Sequence, residues 1–460
     1  MKPKQPWLAV SQNDLKIEHA QCLDEGKDLS KFQAEFQALD SPNVDEDPKL
    51  RQRAGRLLDR TVRLPVRKDF AFAEPSKIAQ IKRARRDRVK LPAGLPSREV
   101  LLDKAYGAWV GRCCGCLLGK PVEGKRRAQI ENYLKSQNRW PLGFYFSGQA
   151  DEKVREENRF AKPDNPCFAE NIKCMVEDDD TNYTTVGLAI VKRFGKDFTP
   201  ENVANFWLGN IPFFHVCTAE RVAYRNLVAV VGPPDPAGNI EGRFSSATFR
   251  NPYREWIGAQ IRADFFGYCS PGNTERAAEL AWRDACISHV RNGLYGEMWV
   301  AAMLAAAYVC DDVETVIRAG LDEVPARSRF RRDIEEVFTW RKEGKTYEQA
   351  VDAVHAKWNE AFGHHWCHTN SNAQIVAIAL LWGDMDYART VCYAVMPGFD
   401  TDCNGATAGS VLGLMLGRKR LPANWTDPIH DTLLTGVHGY HEVKLEQVAA
   451  ETVKIAGILA

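Results

Sequence analysis

The sequence predicts an all-α protein, an orthogonal multi-helix bundle with a charged N-terminal extension. From Lys104 onward apolar residues recur at helical spacing, and no stretch alternates convincingly as a half-buried strand does. Two strips of glycine at every fourth position add a third sign, because that spacing puts them on one helix face. The chain therefore divides near residue 100 into an extension, 1–99, packed on a helical domain, 100–460.

The extension is poor in long periodic segments. Its run Lys82-Arg83-Ala84-Arg85-Arg86-Asp87-Arg88 reads as a solvated helix face rather than a nucleic-acid surface, and Pro92 and Pro96 punctuate a linker. Helical periodicity then covers 104–119, 182–195, 200–208, 275–290, 296–310, 328–343, 347–361, 370–382, 386–395 and 405–417. The first of these carries Gly107, Gly111, Gly115 and Gly119 and runs into Pro121-Val122-Glu123; the last carries Gly405, Gly409 and Gly413, with Gly417 at its end. Each glycine inside a helix costs about 0.5–1 kcal/mol against alanine, so the strips need a packing reason. If they meet antiparallel, Glu123 is brought toward Asp400 and Asp402.

Those aspartates lie in Pro397-Gly398-Phe399-Asp400-Thr401-Asp402-Cys403-Asn404, two carboxylates at the mouth of a small-residue helix. A second acidic run, Glu177-Asp178-Asp179-Asp180-Thr181-Asn182, precedes another periodic segment. Helix dipoles favour such acids by a few tenths of a kcal/mol per charge. Adjacent carboxylates also repel one another, and a hard divalent cation relieves that repulsion. Taken with Glu123, the two runs read as a binuclear metal site.

At this point the chain resembles the ADP-ribosylglycohydrolases, related to the enzyme that removes ADP-ribose from dinitrogenase reductase. The resemblance rests on Gly111 to Glu123 (GRCCGCLLGKPVE), Asp179-Asp180-Thr181, Ser288-His289 with Gly293-Leu294-Tyr295-Gly296, and Asp400-Thr401-Asp402, across about residues 100–420. It implies an all-α bundle of that type with two Mg²⁺ ions, or Mn²⁺, in a cleft for ADP-ribose. It assigns Asp178, Asp179 and Asp180 to one ion and Glu123 and Asp400 to the other, with Asp402 bridging. Glu123, Asp179 and Asp402 are the implied catalytic residues; His289, Gly293, Tyr295 and Gly296 are the implied substrate contacts. Two positions depart from the family pattern, Asp178 and Cys403, each where a threonine is usual. A thiol is a poor Mg²⁺ ligand, which leaves Cys403 a doubtful member of the metal set.

The remaining features narrow the partners. A formal net charge of +1 gives no general attraction to nucleic acid or anionic membrane. The odd count of 13 cysteines, spread through apolar sequence, suits a reducing cytoplasmic setting, and no signal peptide or membrane span is seen. Phe249 to Gln260 is rich in aromatics and arginine, which suits either adenine and phosphate binding or a packing loop. Gly363-His364-His365-Trp366-Cys367-His368-Thr369-Asn370 suggests zinc, but ligands so compressed rarely reach one tetrahedral ion. A cleft wall acting through His368 and Asn372 is the more economical reading. The expected function is hydrolysis of a glycosidic bond to the ribose of ADP-ribose or a related substrate, carried on a protein or a small molecule. Two alternatives stand beside it, a non-enzymatic relative that binds ADP-ribose or a nucleotide, and a binuclear-metal hydrolase of another phosphate or nucleoside.

Overall fold

The computed structural model describes residues 7–86, 88–229 and 231–459. The expected all-α architecture is found: among those residues the one sheet is a two-stranded antiparallel ribbon, Thr432–Leu434 with Glu442–Lys444. Its three-residue strands are too short to show as alternation. The ribbon nevertheless matters, because Met175, just ahead of the acidic run, exchanges backbone hydrogen bonds with Thr432 and Leu434 at 2.8 and 2.9 Å.

The centre of the molecule is the antiparallel pair of helices Arg98–Gly119 and Thr401–Leu416. A Cβ placed on Gly107, Gly111 or Gly115 would overlap the carbonyl oxygen of Gly413, Gly409 or Gly405 respectively, and the converse holds for each partner. At Gly119 the neighbour is the backbone of Thr401, whose hydroxyl donates to the Gly119 carbonyl at 2.9 Å. Gly417 caps the second helix with a positive φ of 77° instead of extending the strip. Such close packing requires residues without side chains, and it sets the register by which Glu123 arrives beside Asp400 and Asp402.

Around this pair stand the fully buried helix Asn292–Ala307 and the helices Thr274–Ala285, Thr369–Trp382, Tyr387–Val395 and Leu445–Leu459. Trp109 of the central pair donates its indole N–H to Thr452 of the last at 3.0 Å. The expected 275–290 helix stops at Ala285, because the chain turns through Arg291 at a φ of 50° before the next helix starts. Among the described residues no helix is long and apolar enough to cross a membrane.

The extension holds more regular structure than expected, including the helices Gln12–Asp24 and Pro48–Thr61. Its small core is built on Leu15, Phe36, Leu57 and Leu58. It reaches the domain through ion pairs, buried at Arg254 and Arg329 and partly exposed at Arg250. Arg254 pairs with Glu18 and Glu25 at 2.6 and 2.8 Å, Arg329 pairs with Glu74 at 2.9 Å, and Arg250 pairs with Asp59 at 2.7 Å. The arginine-rich loop 249–260 is thus a clasp for the extension and not an open nucleotide wall. The basic run is neither free nor merely solvated, since Lys82, Arg85, Arg86 and Arg88 pair with Glu275, Glu279, Glu323 and Glu335 of the domain. Its Asp87, like the first six residues, lies outside the described residues.

Candidate metal centre

Two helix N-termini converge on the acidic residues. Asp178 caps the helix Asp179–Phe194, its Oδ1 accepting the Asp180 N–H at 2.9 Å, which places Asp179 and Asp180 in the first turn. Asp400 stands at the N-cap of the Thr401–Leu416 helix and Asp402 in its first turn. The turn before it passes Gly398 and Phe399 with φ of 79° and 58°, a conformation uncommon for phenylalanine that re-aims Asp400. Asn372 fixes the same loop, its Oδ1 accepting the Asp400 N–H at 3.1 Å and the Asn404 side chain at 2.9 Å.

Ligand atoms of Glu123, Asp400 and Asp402 all lie within 4.8 Å of one another, as do those of Asp180, Asp402 and Cys403, and those of Cys116, Asp178 and Asp180. Asp402 Oδ1 and Asp180 Oδ2 are buried without any hydrogen-bond partner. Leaving such oxygens bare costs about 1–3 kcal/mol each or more, so the arrangement suits a cation supplied from outside. The donors that lack a partner are hard carboxylate oxygens, which fit Mg²⁺ or Mn²⁺. Asp179 is half-buried beside this group and belongs to none of the three triads.

The electrostatics agree with that reading. Burial and the Asp402 charge raise the Asp400 carboxyl well above the ordinary range, and burial with the Asp178 charge raises Asp402. Burial and the charges around it likewise raise Asp179 and Asp180, although Arg112 opposes the shift at Asp180. Glu123 is exposed at the mouth, and chiefly the Asp402 charge pushes it up to about 8. Asp178 alone goes down: burial works against it, and the ion pair with Lys120 overrides burial.

Two basic residues of this site were not singled out from the sequence. Arg112 is wholly buried, donating to Asp180 Oδ1 at 3.1 Å and pairing with Asp264 at 2.7 Å. The signal was there, since it is the one charge within the apolar run Ala105 to Leu118. Lys120 carried no such signal, because only the fold brings it to Asp178. Phe214, 61% exposed, stands on a neighbouring loop. Its loop is tied to the acidic run by His215, whose Nδ1 lies 2.8 Å from Glu177 Oε1.

The residues expected to touch substrate have protein neighbours of their own. His289, Gly293, Tyr295 and Gly296 are all buried. The Tyr295 hydroxyl donates to the Pro75 carbonyl of the extension at 2.6 Å, and His289 Nδ1 lies 2.8 Å from the Ser288 hydroxyl. Gly293 and Gly296 allow close packing against the Arg254 carbonyl and Thr369. None of these contacts is with the acidic group.

The histidine-rich segment gathers His364 and His368 beside Asp24 of the extension. His364 Nδ1 accepts the Trp256 indole N–H at 3.1 Å, and His368 Nδ1 accepts the Asn370 N–H at 3.0 Å. Each neutral ring therefore carries its proton on Nε2, which His364 donates to Asp24 at 2.8 Å. A metal needs a lone pair there, so this group is a hydrogen-bonded latch and not a zinc site.

The family model described as ADP-ribosylglycohydrolase matches residues 97–455. A solved structure described as an ADP-ribosylglycohydrolase-related protein complex is 17% identical, and the alignment covers 79% of this chain and 100% of that one with a TM-score of 0.49. No curated protein matches the chain.

Proposed function

The chain belongs to the ADP-ribosylglycohydrolase family, and from that premise we propose that it hydrolyses a glycosidic bond to the ribose of ADP-ribose or a closely related ribosylated substrate, with a divalent cation held by Glu123, Asp400 and Asp402. The observation that carries this reading is the meeting of those three carboxylates at the end of the glycine-packed helix pair. A cation there would supply Lewis acidity and a water of lowered pKa.

The chain's own residues supply the rest. Glu123, exposed where a substrate enters, accepts a proton from the attacking water. Asp402, central among the carboxylates, offsets positive charge that develops on the ribose ring as its bond to the leaving group breaks. Phe214 offers a planar surface for a base beside the Glu177 loop. The leaving group is either a protein side chain or a small molecule. The test is release of free ADP-ribose from ADP-ribosylated protein and from small ADP-ribosylated acceptors, with Mg²⁺ or Mn²⁺ and with chelator. Cation-dependent release is expected. Tight binding of ADP-ribose with no release from any of them would mean a binding protein instead.

A further inference from the structure

We propose that Lys120 takes the place of one cation in this site, so that the chain holds a single divalent ion, at Glu123, Asp400 and Asp402, rather than two. The inference rests on the metal-dependent reading above and concerns how many ions that site takes.

Three overlapping groups of potential ligands share Asp180 and Asp402. In the first, Cys116, Asp178 and Asp180, almost every oxygen is already engaged. Asp178 Oδ1 accepts the Asp180 N–H at 2.9 Å, and its Oδ2 takes the Lys120 ammonium. Asp180 Oδ1 accepts from Arg112 at 3.1 Å. Only Asp180 Oδ2 stays without a partner, and the third member is a thiol, which hard ions take poorly. The second group, Asp180, Asp402 and Cys403, also ends in a thiol. The third, Glu123, Asp400 and Asp402, offers three carboxylates, and among the described residues no lysine, arginine or histidine pairs with any of them.

Lys120 is also held where it can do this. It follows directly on Gly119, whose helix is docked on Thr401 by backbone contact and the Thr401 hydroxyl. Its side chain is 29% exposed while that of Asp178 is 2% exposed, so the ammonium reaches inward onto the buried acid. The pair accounts for Asp178 itself: the extra acid at this position has an internal counter-ion of its own. Without Lys120, Asp178 Oδ2 would be freed beside Asp180 Oδ2, giving two hard oxygens where there is now one.

The experiment counts Mn²⁺ bound per chain, by titration with free Mn²⁺ followed by electron paramagnetic resonance and by native mass spectrometry. The wild-type protein is expected to bind one ion, Lys120→Met two, and Asp178→Asn one with affinity within about threefold of wild type. Two ions on the wild type would overturn the proposal. So would a folded Lys120→Met that still takes one, or a tenfold loss of affinity in Asp178→Asn. If Lys120→Met does not fold, the wild-type count and Asp178→Asn decide. Release of ADP-ribose by a wild type holding two ions would refute only the present inference, whereas one bound ion without turnover would refute only the hydrolase.

Discussion

Placing a methyl group on Gly115 tests whether the glycine strips exist for backbone contact and whether that contact sets the metal centre. The new Cβ would overlap the Gly405 carbonyl oxygen and lie 2.6 Å from its carbon, and ordinary van der Waals contact begins near 3.4 Å. The obstacle is backbone, so no rotamer relieves it, and the two helices must part by more than about 0.8 Å. Overpacking of this kind costs about 1–3 kcal/mol, from which the better helix propensity of alanine recovers at most about 1. Because backbone cannot yield, the cost falls at the upper end, and a net loss of about 2 kcal/mol is expected. Gly457 is the control, lying in the Leu445–Leu459 helix with nothing within 4 Å of an added Cβ, so Gly457→Ala should gain a few tenths to 1 kcal/mol. Denaturant midpoints of the two variants should move in opposite directions. Because Glu123 and the Asp400/Asp402 pair ride on the two parted helices, Gly115→Ala should also weaken Mn²⁺ binding severalfold, while Gly457→Ala leaves it unchanged. A Gly115→Ala protein as stable as wild type, with undiminished Mn²⁺ affinity, would refute the close-packing argument.

Three further outcomes are expected. Glu123→Gln should keep the fold and lower ADP-ribose release by 10²–10⁴-fold, the usual contribution of a positioned acid or base, and turnover within twofold of wild type would remove Glu123 from the chemistry. Cys403→Thr should retain or tighten Mg²⁺ binding, measured by calorimetry, because a hydroxyl is the harder donor; lost turnover with metal intact would give the sulfur a direct role. In chelator the protein should lose thermal stability as pH rises from about 5 to 8. Glu123 goes from an ordinary 4.5 to about 8 in the fold, so its stabilising contribution is complete below 4.5 and is lost as pH rises through 8. Saturating Mg²⁺ should flatten that dependence, and a melting temperature independent of pH in chelator would contradict the crowding of carboxylates.

Much of the centre was legible in the sequence because its signals are local. Glycine at every fourth position states a helix face, and paired acids beside a periodic segment state a helix mouth. The antiparallel meeting of the two strips, and with it the approach of Glu123 to Asp400 and Asp402, was a conditional reading of those facts, and the structure meets the condition. What escaped depends on contacts distant in sequence. Lys120 and Asp178 are 58 residues apart, and nothing in either neighbourhood names the other. The loop 249–260 has the composition of a nucleotide wall, and only the partners Asp14, Glu18, Glu25 and Asp59 make it a clasp. Helices 12–24 and 48–61 were missed because their surfaces are charged and their apolar faces narrow.

The buried pairs joining residues 1–99 to the rest bear on where this protein can be cut. Family similarity begins at residue 97, and an expression boundary drawn there looks natural. Such a cut would strip Arg254 of Glu18 and Glu25 and Arg329 of Glu74, exposing guanidinium groups shaped to be covered. Removing one partner from a pair that stays buried costs about 3–5 kcal/mol, and here the cost is smaller because the cut also opens these groups to water. The stretch its relatives share is therefore expected to be less stable alone than within the whole chain. Replacing Arg254 and Arg329 in a shortened form is expected to recover part of that stability.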